Sequence, residues 1–167
     1  MGRAIAIGFL ALALAACAGA PPPVARGLDY DALVAAPARP IADVRQRVIR
    51  TATSLLGTPY RFGGTTPAGF DCTGYIAYVF RQAAGMDLPR RSVDQVRSGE
   101  AITPLAMQPG DLVYFRIERE KSLHVGIYVG EGRFIHAPST NGAVNTQSLG
   151  VTYWWTRFVG ARRMLPI

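Results

Sequence analysis

Between Ile41 and Leu56 the apolar residues Val44, Val48, Ala52 and Leu55 recur at helical spacing, and Arg45, Arg47 and Arg50 occupy the other face. That is the pattern of a helix with one buried stripe. Asp43 is a candidate start and Gly57 a stop. Thr58 to Phe70 is rich in glycine and proline and reads as loop. The apolar run Tyr75 to Phe80 predicts a second helix over Asp71 to Ala84, capped by Asp71 and ended at Gly85. A short third helix is predicted over Arg91 to Ser98. After the turn Gln108-Pro109-Gly110 the pattern changes. Asp111 to Phe115 reads as a strand, and Leu123 to Val129 and Arg133 to Ala137 flank Gly130-Glu131-Gly132 as a hairpin. Val151 to Met164, dense in aromatics, holds at least one more strand. Helices first and strands after predict an α+β domain, its N-terminal helices packed on an antiparallel sheet.

The first forty residues do not share this pattern. Met1-Gly2-Arg3 carries one positive charge, and Ala4 to Ala16 is an uncharged apolar run too short to cross a bilayer as a helix. Residues 1–16 therefore read as a secretory leader. Leu14-Ala15-Ala16-Cys17 resembles a bacterial lipobox. The resemblance implies that Cys17 carries acyl chains such as palmitate as the first mature residue, and that Ala18 directs the protein to the periplasmic side of the outer membrane. Residues 17–40, rich in alanine and proline, read as a tether from membrane to domain, which leaves 41–167 as the folded unit. The chain of 167 residues is 49% apolar, enough for one domain with appendages. Its net charge of +7 suits anionic wall polymers or lipid headgroups, and export argues against nucleic acid.

The candidate chemistry centres on Gly69-Phe70-Asp71-Cys72-Thr73-Gly74. The chain has two cysteines. With Cys17 assigned to lipid, Cys72 has no disulfide partner, and an exported protein that keeps one thiol calls for a reason. In the first turn of a helix, unpaired N–H groups and the macrodipole favour a thiolate. The alternative is an inert buried cysteine. The two histidines, His124 and His136, both fall in the hairpin. A three-residue loop Gly130 to Gly132 pairs Val129 with Arg133, Tyr128 with Phe134 and Gly126 with His136. Both imidazoles then share one sheet face, with Gly126 leaving room opposite a ring. A two-residue loop would separate them. A thiol needs a base to take its proton and an acid to protonate the leaving amine, and the base needs an orienting partner. Cys72, His124 and His136 supply one of each. A zinc site on the same three residues lacks paired CxxC or HxxxH spacing and a fourth ligand, and no GxSxG motif supports a serine hydrolase.

Gly57-Thr58-Pro59-Tyr60-Arg61-Phe62-Gly63-Gly64, Phe70-Asp71-Cys72-Thr73-Gly74, Leu88-Pro89-Arg90, Pro109-Gly110-Asp111-Leu112-Val113, His124-Val125-Gly126-Ile127-Tyr128 and Phe134-Ile135-His136-Ala137 together resemble the NlpC-type cell-wall cysteine peptidases. Within them the likeness is greatest to lipoprotein murein endopeptidases of the Spr/MepS kind. It covers about Val44 to Met164. The resemblance implies a papain-like fold, with Cys72 as nucleophile, His124 as base, His136 as its orienting partner and Tyr60 beside the oxyanion. It places Asp71, Thr73, Arg90, Ser92 and Gln95 near substrate. Helix capping is an equal reading for Asp71, as is a solvated helix start for Arg90, Ser92 and Gln95. Asp111 reads as structural. The implied reaction joins thiolate Cys72, paired with protonated His124, to a stem-peptide or cross-link carbonyl and releases the product through a thioester. No metal or organic cofactor is required, and any regulatory adaptor is unknown. A wall-binding module without activity, or an acyltransferase or amidase on the same scaffold, are the alternatives.

Overall fold

In the computed structural model, residues 40–117, 123–139 and 142–165 are described. The leader, Cys17 and the tether up to residue 39 lie outside them. Helix α1, Pro40–Ser54, buries Val48 and Ala52 completely, on the stripe that the spacing predicts, with Val44 and Leu55 partly buried beside them. Helix α2, Cys72–Ala84, packs against it through Tyr75, Ile76, Val79 and Phe80. The Tyr75 hydroxyl donates to the Ala52 carbonyl at 3.0 Å, so the phenol is satisfied inside the core. Asp71 caps the start of α2. Gly85, at φ 65°, ends it with its N–H on the Arg81 carbonyl and the Met86 N–H on that of Phe80. That paired ending satisfies two of the helix's last carbonyls.

The strands are β1 Thr65–Thr66, β2 Gly69–Phe70, β3 Glu100–Ile102, β4 Leu112–Arg116, β5 Leu123–Gly130, β6 Arg133–His136, β7 Asn145–Ser148 and β8 Phe158–Arg163. β1 and β2 form a small antiparallel pair inside the segment expected to be loop. The other six build one antiparallel sheet in the order β3-β8-β4-β5-β6-β7. The architecture is the α+β arrangement expected. Short helices α3, Ser92–Gln95, and α4, Thr152–Trp155, complete it. The run Val151 to Met164 thus divides into a helix and a strand. β3 and β7 escape sequence detection because they are short edge strands. Asn145-Thr146-Gln147-Ser148 shows no apolar alternation, having a neighbour on only one side.

The sheet has two apolar faces. Leu112, Tyr114, Val125, Ile127, Ile135 and Ala137 meet α1 and α2. Val113, Phe115, Phe134, Leu149 and Ala161 form a second cluster, with Trp154 and Phe158 packed on it. The β5–β6 hairpin corrects the expected loop. It closes on two residues, Glu131 (φ 53°) and Gly132 (φ 67°), with Gly130 rather than Val129 opposite Arg133. Left-handed values at both central positions suit a tight hairpin turn. An irregularity between Tyr128 and Gly130 absorbs the extra residue. Tyr128 still faces Phe134 and Ile127 faces Ile135, so the bulge preserves the parity that puts both histidines on one face.

Asp111, fully buried, joins three elements. It accepts from Arg163 of β8 at 3.0 and 2.8 Å, from Arg45 of α1 at 3.4 Å and from the Gln108 N–H at 2.8 Å. Asp111 is thus structural, as expected. Asp111→Ala should cost about 3–5 kcal/mol, because Arg163 would stay buried without its counter-ion. Adding Arg163→Met should recover much of the loss. Chemical denaturation of the two variants measures both effects.

Candidate active site

The loop that leads to Cys72 is built from backbone close contacts. Asp71 N–H donates to the Gly64 carbonyl at 3.0 Å, and a Cβ on Gly74 would lie 2.0 Å from that oxygen. Only glycine at position 74 lets the loop close over the first turn of α2. Pro59 bridges to Ala143, the Tyr60 N–H donates to the Gly142 carbonyl at 2.8 Å, and Tyr60 bridges to Phe70. Two steps after Ala143, Asn145 pairs with His136. The chain before Cys72 is therefore tied, strand by strand, to the strand that carries a histidine.

Cys72 is the first residue of α2, half-buried and in no disulfide. Asp71 beside it is 8% exposed and its carboxylate is fully engaged. It accepts from Gly74 N–H at 2.7 Å, Gly63 N–H at 3.1 Å, the Thr73 hydroxyl at 3.2 Å and both Arg90 terminal nitrogens. Arg90 also donates to the Thr73 hydroxyl. Three of the residues placed near substrate by resemblance thus bind one another around the nucleophile. The Asp71 hydrogen bond, and more weakly charge at Cys72 and Tyr60, push the Arg90 guanidinium pKa up. Arg90, Cys72 and Tyr60 therefore share one neighbourhood. Ser92 and Gln95 are 2% and 0% exposed, so neither is a solvated helix start. Gln95 donates to the Pro89 carbonyl at 2.7 Å, and α3 packs against β5.

β5, against which α2 also packs, carries His124. Its Nε2 lies 2.7 Å from Nδ1 of His136, with the rings at 89°. Both side chains are almost fully buried, at 3% and 1% exposure. Gly126 makes the approach possible: a Cβ there would sit 2.6 Å from the Phe134 ring and 3.4 Å from the His136 Cβ. Burial, then the neighbouring imidazole, lowers His124 to about 3. Burial lowers His136 to about 4, partly offset by Asn145. The Asn145 amide also donates to the Ala143 carbonyl (3.0 Å) and accepts from the Gln147 amide (3.2 Å). Burial thus favours the neutral form of both rings. Sequence reasoning did not find Trp154, which packs on both imidazoles. The aromatic run around it was the one available signal. Among the described residues, no group of three or more His, Cys, Asp or Glu is placed to hold a metal.

Comparison with known proteins agrees with this arrangement. The chain is 44% identical over 118 residues to a gamma-DL-glutamyl hydrolase of Bacillus subtilis, covering 70% of this chain and 28% of that one. It is 37% identical over 123 residues to the Escherichia coli murein DD-endopeptidase MepS/murein LD-carboxypeptidase, covering 74% of this chain and 64% of that one. It therefore spans less than two thirds of either relative. A crystal structure of an NlpC/P60 family protein from Bacillus cereus superposes with a TM-score of 0.68 at 35% identity, over 73% of this chain and 40% of the other. Residues 57–163, the span holding both the nucleophile loop and the histidine hairpin, match the NlpC/P60 family model, and the chain belongs to that family.

Proposed function

We propose that this protein is a cysteine peptidase that hydrolyses peptide bonds of peptidoglycan, with Cys72 as nucleophile and His124 as base. The observation that carries the reading is the buried 2.7 Å bond between His124 Nε2 and His136 Nδ1, on the hairpin whose strand packs against the Cys72 helix. Because Nε2 of His124 is committed to His136, Nδ1 remains to take the thiol proton. Nε2 must then carry hydrogen and donate to His136 Nδ1, so His136 carries its own proton on Nε2.

Burial disfavours a lone charged His124, and the charge it takes up is offset by the Cys72 thiolate that forms beside it. The S–C bond forms as the thiol proton passes to His124. The oxyanion is held by the Cys72 N–H and the Tyr60 hydroxyl. His124 returns the proton to the leaving amine as the C–N bond breaks. A water, deprotonated by His124, then cleaves the thioester and restores the thiol. His136 fixes the His124 ring, and Asp71, Thr73 and Arg90 fix the loop. The scissile bond is either a D,D cross-link or the γ-D-glutamyl-diaminopimelate bond; of the two relatives, one is named a gamma-DL-glutamyl hydrolase and the other a murein DD-endopeptidase. We extend the proposal to placement: leader 1–16, lipid on Cys17, tether 17–40 and peptidase domain 41–167, on the periplasmic side of the outer membrane.

Cross-linked muropeptides incubated with the purified protein should yield products whose masses identify the bond. Cys72→Ala should lower the rate by at least about 10³-fold and His124→Ala by about 10²–10⁴-fold. Intact substrate with the unaltered protein would sink the proposal.

The histidine pair also makes stability pH-dependent. The unfolded chain protonates its histidines near the ordinary value of 6.5, whereas the folded pair resists to about 3 and about 4. Their contribution is complete above pH 6.5 and is lost as pH falls below it, with a slope approaching about 1.4 kcal/mol per histidine per pH unit. Melting between pH 7 and 5, where ordinary carboxylates stay ionised, should show this fall. The double variant His124→Asn/His136→Asn should flatten it.

Cys17→Ser should move the protein from the membrane to the soluble fraction. Retention on membranes would count against the lipid anchor.

A further inference from the structure

Trp154 belongs to none of the motifs that define the site, yet its indole touches both histidines. It stacks on His124, with centroids 5.8 Å apart and planes 28° apart. It stands at 85° to His136, at 4.9 Å. A plane nearly parallel to one imidazole and perpendicular to the other suits two rings that are themselves at 89°. Phe115 and Phe134 hold the indole from the sheet side, at 4.9 and 5.1 Å. Its Nε1–H donates to Gln147 Oε1 at 3.3 Å, and Gln147 donates on to Asn145, the residue paired with His136. The indole is thus anchored to the strand beside the ring it faces.

Its chain neighbours Tyr153 and Trp155 are open to solvent, at 46% and 55% exposure. Trp154 itself is half-buried, and the two imidazoles it packs on are almost fully buried. A 2.7 Å bond between two neutral imidazoles holds one tautomer only while the rings keep their mutual angle. Water able to reach either nitrogen would compete for it. The His136 ring is held by its bond to His124 and by the Asn145 side chain, and the indole packs on it as well.

We propose that Trp154 is a positioning residue of the catalytic pair, its indole clamping His124 and His136 in their working orientation and excluding water from the bond between them. This rests on the assignment of the pair in the preceding section. The groups that act on the pair are few. His136 acts on His124, Asn145 of β7 acts on His136, and α4 carries no charged side chain.

The test compares the full chain with Trp154→Ala, Trp154→Phe and Trp155→Ala. Histidine titration is followed by imidazole ¹⁵N shifts, and kcat and KM by muropeptide cleavage against pH. Trp154→Ala should raise the histidine midpoints by about one pH unit or more, as water reaches the rings. It should lower kcat by about tenfold or more with KM within about twofold, and shift the acid limb upward. Trp154→Phe should recover most of both effects, and Trp155→Ala should match the unaltered protein. If Trp154→Ala titrates and turns over like Trp155→Ala, the inference is wrong. If it fails to fold, Trp154→Leu, which removes the aromatic plane but keeps an apolar side chain, carries the test, and unmoved midpoints there overturn the proposal. The titration needs no substrate. An inactive unaltered protein would therefore refute the peptidase reading alone, whereas an active one with unmoved midpoints would refute the role of Trp154.

Discussion

A single hydrogen bond between two buried, neutral imidazoles sets the terms for everything around it. Water outcompetes such a bond at an exposed site, so the bond requires a dry wall, and the aromatic cluster of Phe115, Phe134 and Trp154 supplies one. It also requires both rings on one face of the sheet. Strand side chains alternate with a period of two, so the hairpin must keep an even register. The bulge between Tyr128 and Gly130 satisfies that demand where a two-residue turn alone would not.

The same constraint reaches the nucleophile through backbone rather than side chains. Asn145 faces His136, Ala143 bridges Pro59, Tyr60 bridges Phe70, and Cys72 follows two residues later. Each step is a short strand contact with little freedom. At the far end, Asp71 gathers two backbone N–H groups, a hydroxyl and a guanidinium around the start of α2. A carboxylate with that many donors is a fastening point. The acidic and basic residues flanking Cys72 therefore fix where its sulfur can be before they bind anything else.

What could be read from sequence divides along physical lines. The α1 stripe, the Asp71 cap and the β4, β5 and β6 strands were legible because burial on one face leaves a period in the residues. Cys72, His124 and His136 were legible because each is scarce and has a chemical use. β3 and β7 were not, since an edge strand can be polar throughout. The turn of the hairpin was misjudged although its outcome was right, because a bulge leaves no periodic trace. Trp154 was hidden for a different reason. Its contacts join residues far apart in sequence, and nothing within Tyr153-Trp154-Trp155 tells which ring turns inward.

Burial of the base also bears on how a thiol works here. An imidazolium stripped of water is unfavourable unless an anion lies against it, and a second imidazole offers none. An aspartate in the position of His136 would favour the charged ring and a standing thiolate. Histidine there favours the neutral ring and orients it without stabilising its charge. The second imidazole thus leaves any charge on His124 to be balanced from another side of the ring.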